Sequence, residues 1–136
     1  MIESPRHALL VLPARRATVS GARHFTETLL RQWCLGEDDT CAAVLVVDEL
    51  AANAAEHGHH HMALRLSLDR DLLHITVRDH GGGVRPHSDG DPDEHGRGLR
   101  IVGALATRTE IRRDATGWRV AVELPVTCPG TRTART

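Results

Sequence analysis

Between His61 and Asp79 the chain alternates apolar and polar residues twice over. Met62, Leu64, Leu66 and Leu68 fall on one side of the first run; Leu73, Ile75 and Val77 fall on one side of the second. A period of two is that of a strand with one buried face. The Asp69-Arg70-Asp71 link between the runs predicts a hairpin. The stretch GWRVAVEL repeats the pattern, with Trp118, Val120, Val122 and Leu124 pointing one way. It pairs with TRTEIRR in a second hairpin around Asp114-Ala115-Thr116-Gly117. HALLVLP predicts a short first strand that Pro13 ends.

Elsewhere the spacing is helical. Phe25, Leu29, Leu30 and Trp33 predict a helix over ATVSGARHFTETLLRQWCLG, stopped by Gly36. EDDTCAAVLVVDELAANAAEHG predicts a second helix, opened by acidic residues and closed by Gly58. LRIVGALA predicts a short third one after the Gly-rich, acidic loop HGGGVRPHSDGDPDEHGRG. The order is β-α-α-β-β-loop-α-β-β. Each strand has one apolar face, so the helices should all cover one side. The expected fold class is α+β: a two-layer sandwich of a mostly antiparallel, mixed sheet with helices on one face. One globular domain over residues 1–125 is expected, with a loose tail over 126–136.

Composition narrows the chemistry. Aromatic residues make up only 2% of the 136 residues, so Leu, Val, Ile and Ala must build the core. The net charge of −1 leaves no basic footprint for nucleic acid. All seventeen basic residues are Arg, which removes a P-loop lysine and Schiff-base chemistry together. Cys34, Cys41 and Cys128 show no paired spacing and read as reduced thiols. The start MIESPRHALL has no signal-peptide shape, and no apolar run approaches membrane-spanning length. The expectation is a cytoplasmic protein.

Three clusters carry candidate chemistry. In VVDELAANAAEHG, Glu49 and Asn53 lie one helical turn apart, with Glu56 and His57 a turn further on. Asn53 is the only asparagine in the chain. Alone, the stripe reads as the wet side of an amphipathic helix. In RDHGGG, strand periodicity puts Asp79 on the covered face with Ile75 and Val77, and three glycines follow. A carboxylate there can accept from an exocyclic amine such as adenine's and would repel guanine's carbonyl. Alone, it reads as a turn whose Asp caps local amides. In HGRGLRIVGALA, Gly96 and Gly98 precede a helix N-terminus, which presents free N–H groups to an anion.

All three occur in order, each on the element its chemistry needs. The combination resembles the GHKL ATPases (the Bergerat fold) with their N, G1 and G2 boxes, over roughly Leu9 to Leu124. The short chain and the style of HGRGLRIVGALATR resemble the stand-alone, RsbW-type anti-sigma factor serine kinases of actinobacteria. The resemblance implies ATP and Mg²⁺ as cofactors. It makes Asn53 the Mg²⁺ ligand, Glu49 the general base toward a protein serine, and Asp79 the reader of adenine. Gly81 and Gly83 would flank the base, and Gly96 and Gly98 the phosphates, with Val84 to His95 as a lid. His57, Arg97 and Leu99 complete the expected nucleotide contacts, and Arg97 or Arg100 could reach a phosphate.

The implied function is phosphorylation of a serine on a STAS-domain antagonist together with sequestration of a sigma factor, in a homodimer. A non-catalytic nucleotide-binding interaction module is the alternative. Asp89, Asp91, Asp93 and Glu94 fit the resemblance less well, because four acids in the lid would repel a triphosphate unless turned outward or paired. A histidine-kinase catalytic domain fits less well, because no dimerisation-helix segment with a phosphoacceptor is present. The run His57, His59, His60 and His61 raises a transition-metal reading. It crosses a glycine turn and lacks a second ligand cluster, so a solvated turn is the better account.

Overall fold

The computed structural model describes residues 6–57, 60–80, 100–115 and 117–127, with the main chain alone at 57 and 114. Among these residues five strands form one sheet: β1 (Arg6–Pro13), β2 (His61–Asp69), β3 (Leu72–His80), β4 (Arg108–Asp114) and β5 (Gly117–Pro125). Their order is β1-β2-β3-β5-β4, and every neighbouring pair is antiparallel. Two helices, α1 (Val19–Gln32) and α2 (Glu37–His57), precede β2, and residues 100–105 are helical.

The alternation read from the sequence is the observed burial. On β2, Met62, Leu64, Leu66 and Leu68 are buried; on β3, Leu73, Ile75, Val77 and Asp79 are. On β5, Val122 and Leu124 are buried, while Trp118 and Val120 are half-buried. Cross-strand partners such as Leu66 and Ile75, or Ile75 and Val122, share the face that the helices cover. Burying that row drives the sheet onto α2 at roughly 25 cal/mol per Å² of apolar surface. α2 lies along β3 and touches β2 and β5, and α1 packs on α2.

Small residues set how closely the helices dock. α2 buries Ala43, Val46, Val47, Leu50, Ala51 and Ala54, whereas Leu45 is 40% exposed. The α1 stripe is likewise centred on Ala22, Thr26 and Leu30, with Phe25, Leu29 and Trp33 on its flanks. Thr26 is tolerated there because its hydroxyl donates to the Ala22 carbonyl, 2.9 Å away.

Two boundaries differ from the sequence expectation. Helix α1 ends at Gln32, well before Gly36. Cys34 adopts a left-handed conformation (φ 64°), and the Leu35 and Cys34 N–H groups return to the Leu30 and Arg31 carbonyls. That bonding is a Schellman stop, sealed by burial of Leu35. At the other end of the chain, Val126 is buried and its N–H donates to the Asp71 carbonyl. The Thr127 N–H donates to Asp39 Oδ2 at 2.8 Å. These two residues therefore belong to the fold; residues 128–136 of the expected tail lie outside the described residues.

The uncovered face of the sheet is polar towards β4 and apolar towards β1. His74, Thr76, Arg108, Glu110, Arg119 and Glu123 line a shallow groove there. Arg112 hydrogen-bonds Glu110 and, with Arg108 and Arg119 nearby, holds its carboxyl below the usual carboxylate range. At the opposite edge Leu9 and Val11 are more than half exposed. Among the described residues, no helix is long and apolar enough to cross a membrane.

Candidate functional site

The site is built where α2 ends and β3 ends. Only three residues separate α2 from β2, and β2 begins opposite the end of β3: His61 faces His80, and Met62 faces Asp79. The last turns of α2, with Glu49 and Asn53, and the last inward residue of β3 therefore lie at the same end of the sandwich.

Asp79 is 3% exposed, which for a carboxylate demands compensation. Its Oδ1 accepts the Trp118 main-chain N–H at 3.3 Å. Val77 pairs with Val120 and Arg78 with Arg119, so continuation of the register brings Asp79 to Trp118 across the β3–β5 seam. One carboxylate oxygen is thus held by the protein, and the carboxylate keeps acceptor capacity for a donor from outside.

Gly117 makes this approach possible. Its φ is +145°, and a Cβ built there would land on the Asp79 main-chain oxygen and lie 2.6 Å from Oδ1. Any side chain would push the carboxylate out of place. The sequence marked Gly117 as a hairpin residue only. The constraint on it comes from a strand 38 positions earlier, by the numbering 117 less 79, and no local pattern announces it.

Glu49 and Asn53 are both half-buried on α2, beside a fully packed face. Among the described residues neither side chain makes a hydrogen bond. Asp48, next to Glu49, is turned towards α1, where Arg23 sits 3.5 Å from its Oδ1. The stripe is therefore neither core nor a fully wet surface. A half-buried amide oxygen of this kind suits Mg²⁺, which takes one or two protein oxygens and keeps waters and phosphate oxygens for the rest.

Gly81, Gly83, Gly96, Arg97, Gly98, Leu99, the lid from Val84 to His95, and the His57 side chain lie outside the described residues. Arg100 is exposed at the start of the described helical stretch, and Val102 in that stretch is fully buried. In the histidine run, His61 stacks on His80 with ring centroids 4.8 Å apart. Among the described residues no three His, Cys, Asp or Glu side chains converge as metal ligands would.

Comparison with known proteins agrees with the fold. Residues 12–124 match the family model described as histidine kinase-like ATPase domain. A 53-residue stretch is 38% identical to the sensor histidine kinase MtrB of Mycolicibacterium paratuberculosis, covering 38% of this chain and 9% of that protein. Among solved structures, the RsbU and RsbW domains of Rv1364c from Mycobacterium tuberculosis share the fold with a TM-score of 0.67 at 20% identity. That match covers 89% of this chain and 32% of the other. The histidine kinase domain of the Erythrobacter litoralis EL346 blue-light activated kinase matches with a TM-score of 0.52 at 25% identity, covering 71% of this chain and 49% of that one. The chain thus spans less than half the length of each of these relatives.

Proposed function

Because the chain belongs to the histidine kinase-like ATPase domain family, we propose that it binds ATP with Mg²⁺ and acts as a regulatory protein serine kinase. Its substrate in this reading is a serine on a STAS-domain antagonist, and its unphosphorylated partner is a sigma factor. The observation that carries the nucleotide part is the buried Asp79 carboxylate, fixed by the Trp118 N–H at one end of the sheet. The RsbW domain named in one structural match motivates the partner class.

The residues take the following roles. Asp79 accepts the exocyclic amine of adenine, a contact that guanine's carbonyl cannot make. Asn53 would hold Mg²⁺, which when bound offsets the charge of the phosphates. Glu49, one turn back on α2, takes the serine proton as the serine oxygen bonds to the γ-phosphorus. The bond from that phosphorus to the β–γ bridging oxygen breaks, and ADP leaves. The phosphate placed on the antagonist adds charge at its interface and releases it. The exposed Leu9 and Val11 on edge strand β1 suit the contact of a homodimer.

Titration calorimetry of ATP, ADP and GTP with Mg²⁺ tests the pocket. Wild type is expected to bind ATP and ADP in preference to GTP. Asn53→Ala should lose about tenfold in ATP affinity in the presence of Mg²⁺ and much less in its absence. Absence of adenine nucleotide binding by wild type would remove the proposal. Transfer of labelled γ-phosphate to a STAS-domain protein encoded beside this chain tests the reaction. Glu49→Ala should bind ATP normally and transfer about 10²–10⁴ times more slowly. Binding without any transfer by wild type would favour the non-catalytic module.

A further inference from the structure

Trp118 has two N–H groups, and only one is accounted for. Its main-chain N–H holds Asp79 Oδ1. Its indole N–H is buried and, among the described residues, has no hydrogen-bond partner. Leaving a buried donor unpaired is costly, and native folds hold few such groups. The Thr40 hydroxyl shares this state, but it lies in the first turn of α2, thirteen residues or about 20 Å of helix away from Asn53. The Trp118 orphan lies at the candidate site itself.

The strand register sets the face on which the ring lies, and a cation lies beside it. Inward-facing Val120, Val122 and Leu124 put the Trp118 side chain on the same face of the sheet as Asp79. From β4, the Arg113 guanidinium sits 5.3 Å from the indole ring centroid, within cation–π range. The half-buried ring thus lies on the Asp79 face with a cation beside it, and its N–H is available to the same site.

We propose that the Trp118 indole N–H is a second base-reading group of the nucleotide site. It donates to the purine ring nitrogen beside the exocyclic amine that Asp79 accepts. The inference rests on the adenine reading of Asp79 and deepens it. Adenine's amine is flanked by ring nitrogens N1 and N7, both acceptors, so a carboxylate next to an N–H donor complements the edge. Hypoxanthine carries a carbonyl in place of the amine, so it opposes the carboxylate, and its protonated N1 opposes the indole as well where N1 is the acceptor used. Pairing the indole with the base also relieves the buried donor, so the contact is gained only with a ligand of the right edge.

The test compares ATP, 1-deaza-ATP, 7-deaza-ATP and inosine triphosphate, each with Mg²⁺, on the full chain and on Trp118→Phe. Wild type is expected to bind one of the deaza analogues about tenfold more weakly than ATP. Trp118→Phe should bind ATP about tenfold more weakly and no longer distinguish it from that analogue. In a Trp33→Phe background Trp118 is the sole tryptophan, and its emission should change on ATP addition. This readout and the wild-type analogue series need no Trp118 variant, so they decide the matter even if that variant folds poorly. Equal wild-type affinity for ATP and both deaza analogues overturns the inference. So does a Trp118→Phe protein that still discriminates them as wild type does. In either case ATP binding by wild type leaves the adenine pocket standing; loss of all nucleotide binding by wild type removes both.

Discussion

Asp79→Asn is expected to weaken ATP binding by about 100-fold while leaving the protein folded. The two side chains have nearly the same shape, and the amide oxygen can still accept the Trp118 N–H that Oδ1 accepts at 3.3 Å. What changes is the other arm. An oxygen that accepts from the adenine amine becomes an NH₂ that faces it, donor against donor. The same NH₂ suits a carbonyl, so affinity for inosine triphosphate should rise relative to ATP. Calorimetry with both nucleotides reads the ratio. Unchanged ATP affinity in a folded Asp79→Asn protein would show that Asp79 serves the β3–β5 seam alone. A fall in melting temperature of many degrees would point the same way.

Gly117→Ala should be the most damaging single-methyl change in the described fold. The added carbon meets the Asp79 main-chain oxygen, and the backbone there has a φ of +145° that an alanine resists. Strain of this kind and overpacking each cost about 1–3 kcal/mol. A combined loss of about 3 kcal/mol lowers Tm by roughly 10 °C in a domain of this size. Gly21→Ala is the control. It lies inside α1 with nothing within 4 Å of its would-be Cβ, and should stabilise by about 0.5–1 kcal/mol. Thermal unfolding of the two variants side by side separates the local clash from any general effect of losing a glycine. If both melt as wild type does, Asp79 has room to move and is not held as described.

The strands were readable because each has one wet face and one dry face. A slip of one residue would have turned Leu64, Leu66 and Ile75 out to solvent, so period and register are fixed together. The helices were readable in place and less so in orientation. Large residues such as Leu45 and Phe25 dominate a sequence-based stripe, yet the close contact is made by Ala22, Ala43, Ala51 and Ala54, which let the elements approach. The stop of α1 was misassigned to Gly36, because a left-handed Cys34 is rare enough that no composition rule points to it. Within the site, Asp79 was visible from strand parity alone, and Asn53 and Glu49 from helical spacing. Gly117 and Trp118 were visible only as hairpin and core residues. Their roles come from a strand far off in sequence, and only pairing of β3 with β5 discloses them.

That pairing bears on how the protein is made. The bond that fixes Asp79 joins residues 39 positions apart, and β5 is inserted between β3 and edge strand β4, which precedes it in the chain. During synthesis both long helices and the first three strands leave the ribosome before β5 exists. A nascent or truncated product of that length carries Glu49, Asn53 and Asp79 but lacks the strand that holds the carboxylate in place. In the reading proposed here, nucleotide capture is therefore reserved for chains that include β5. A fragment released early would have the surface of the two helices without the pocket, and its interactions with partners would escape nucleotide control.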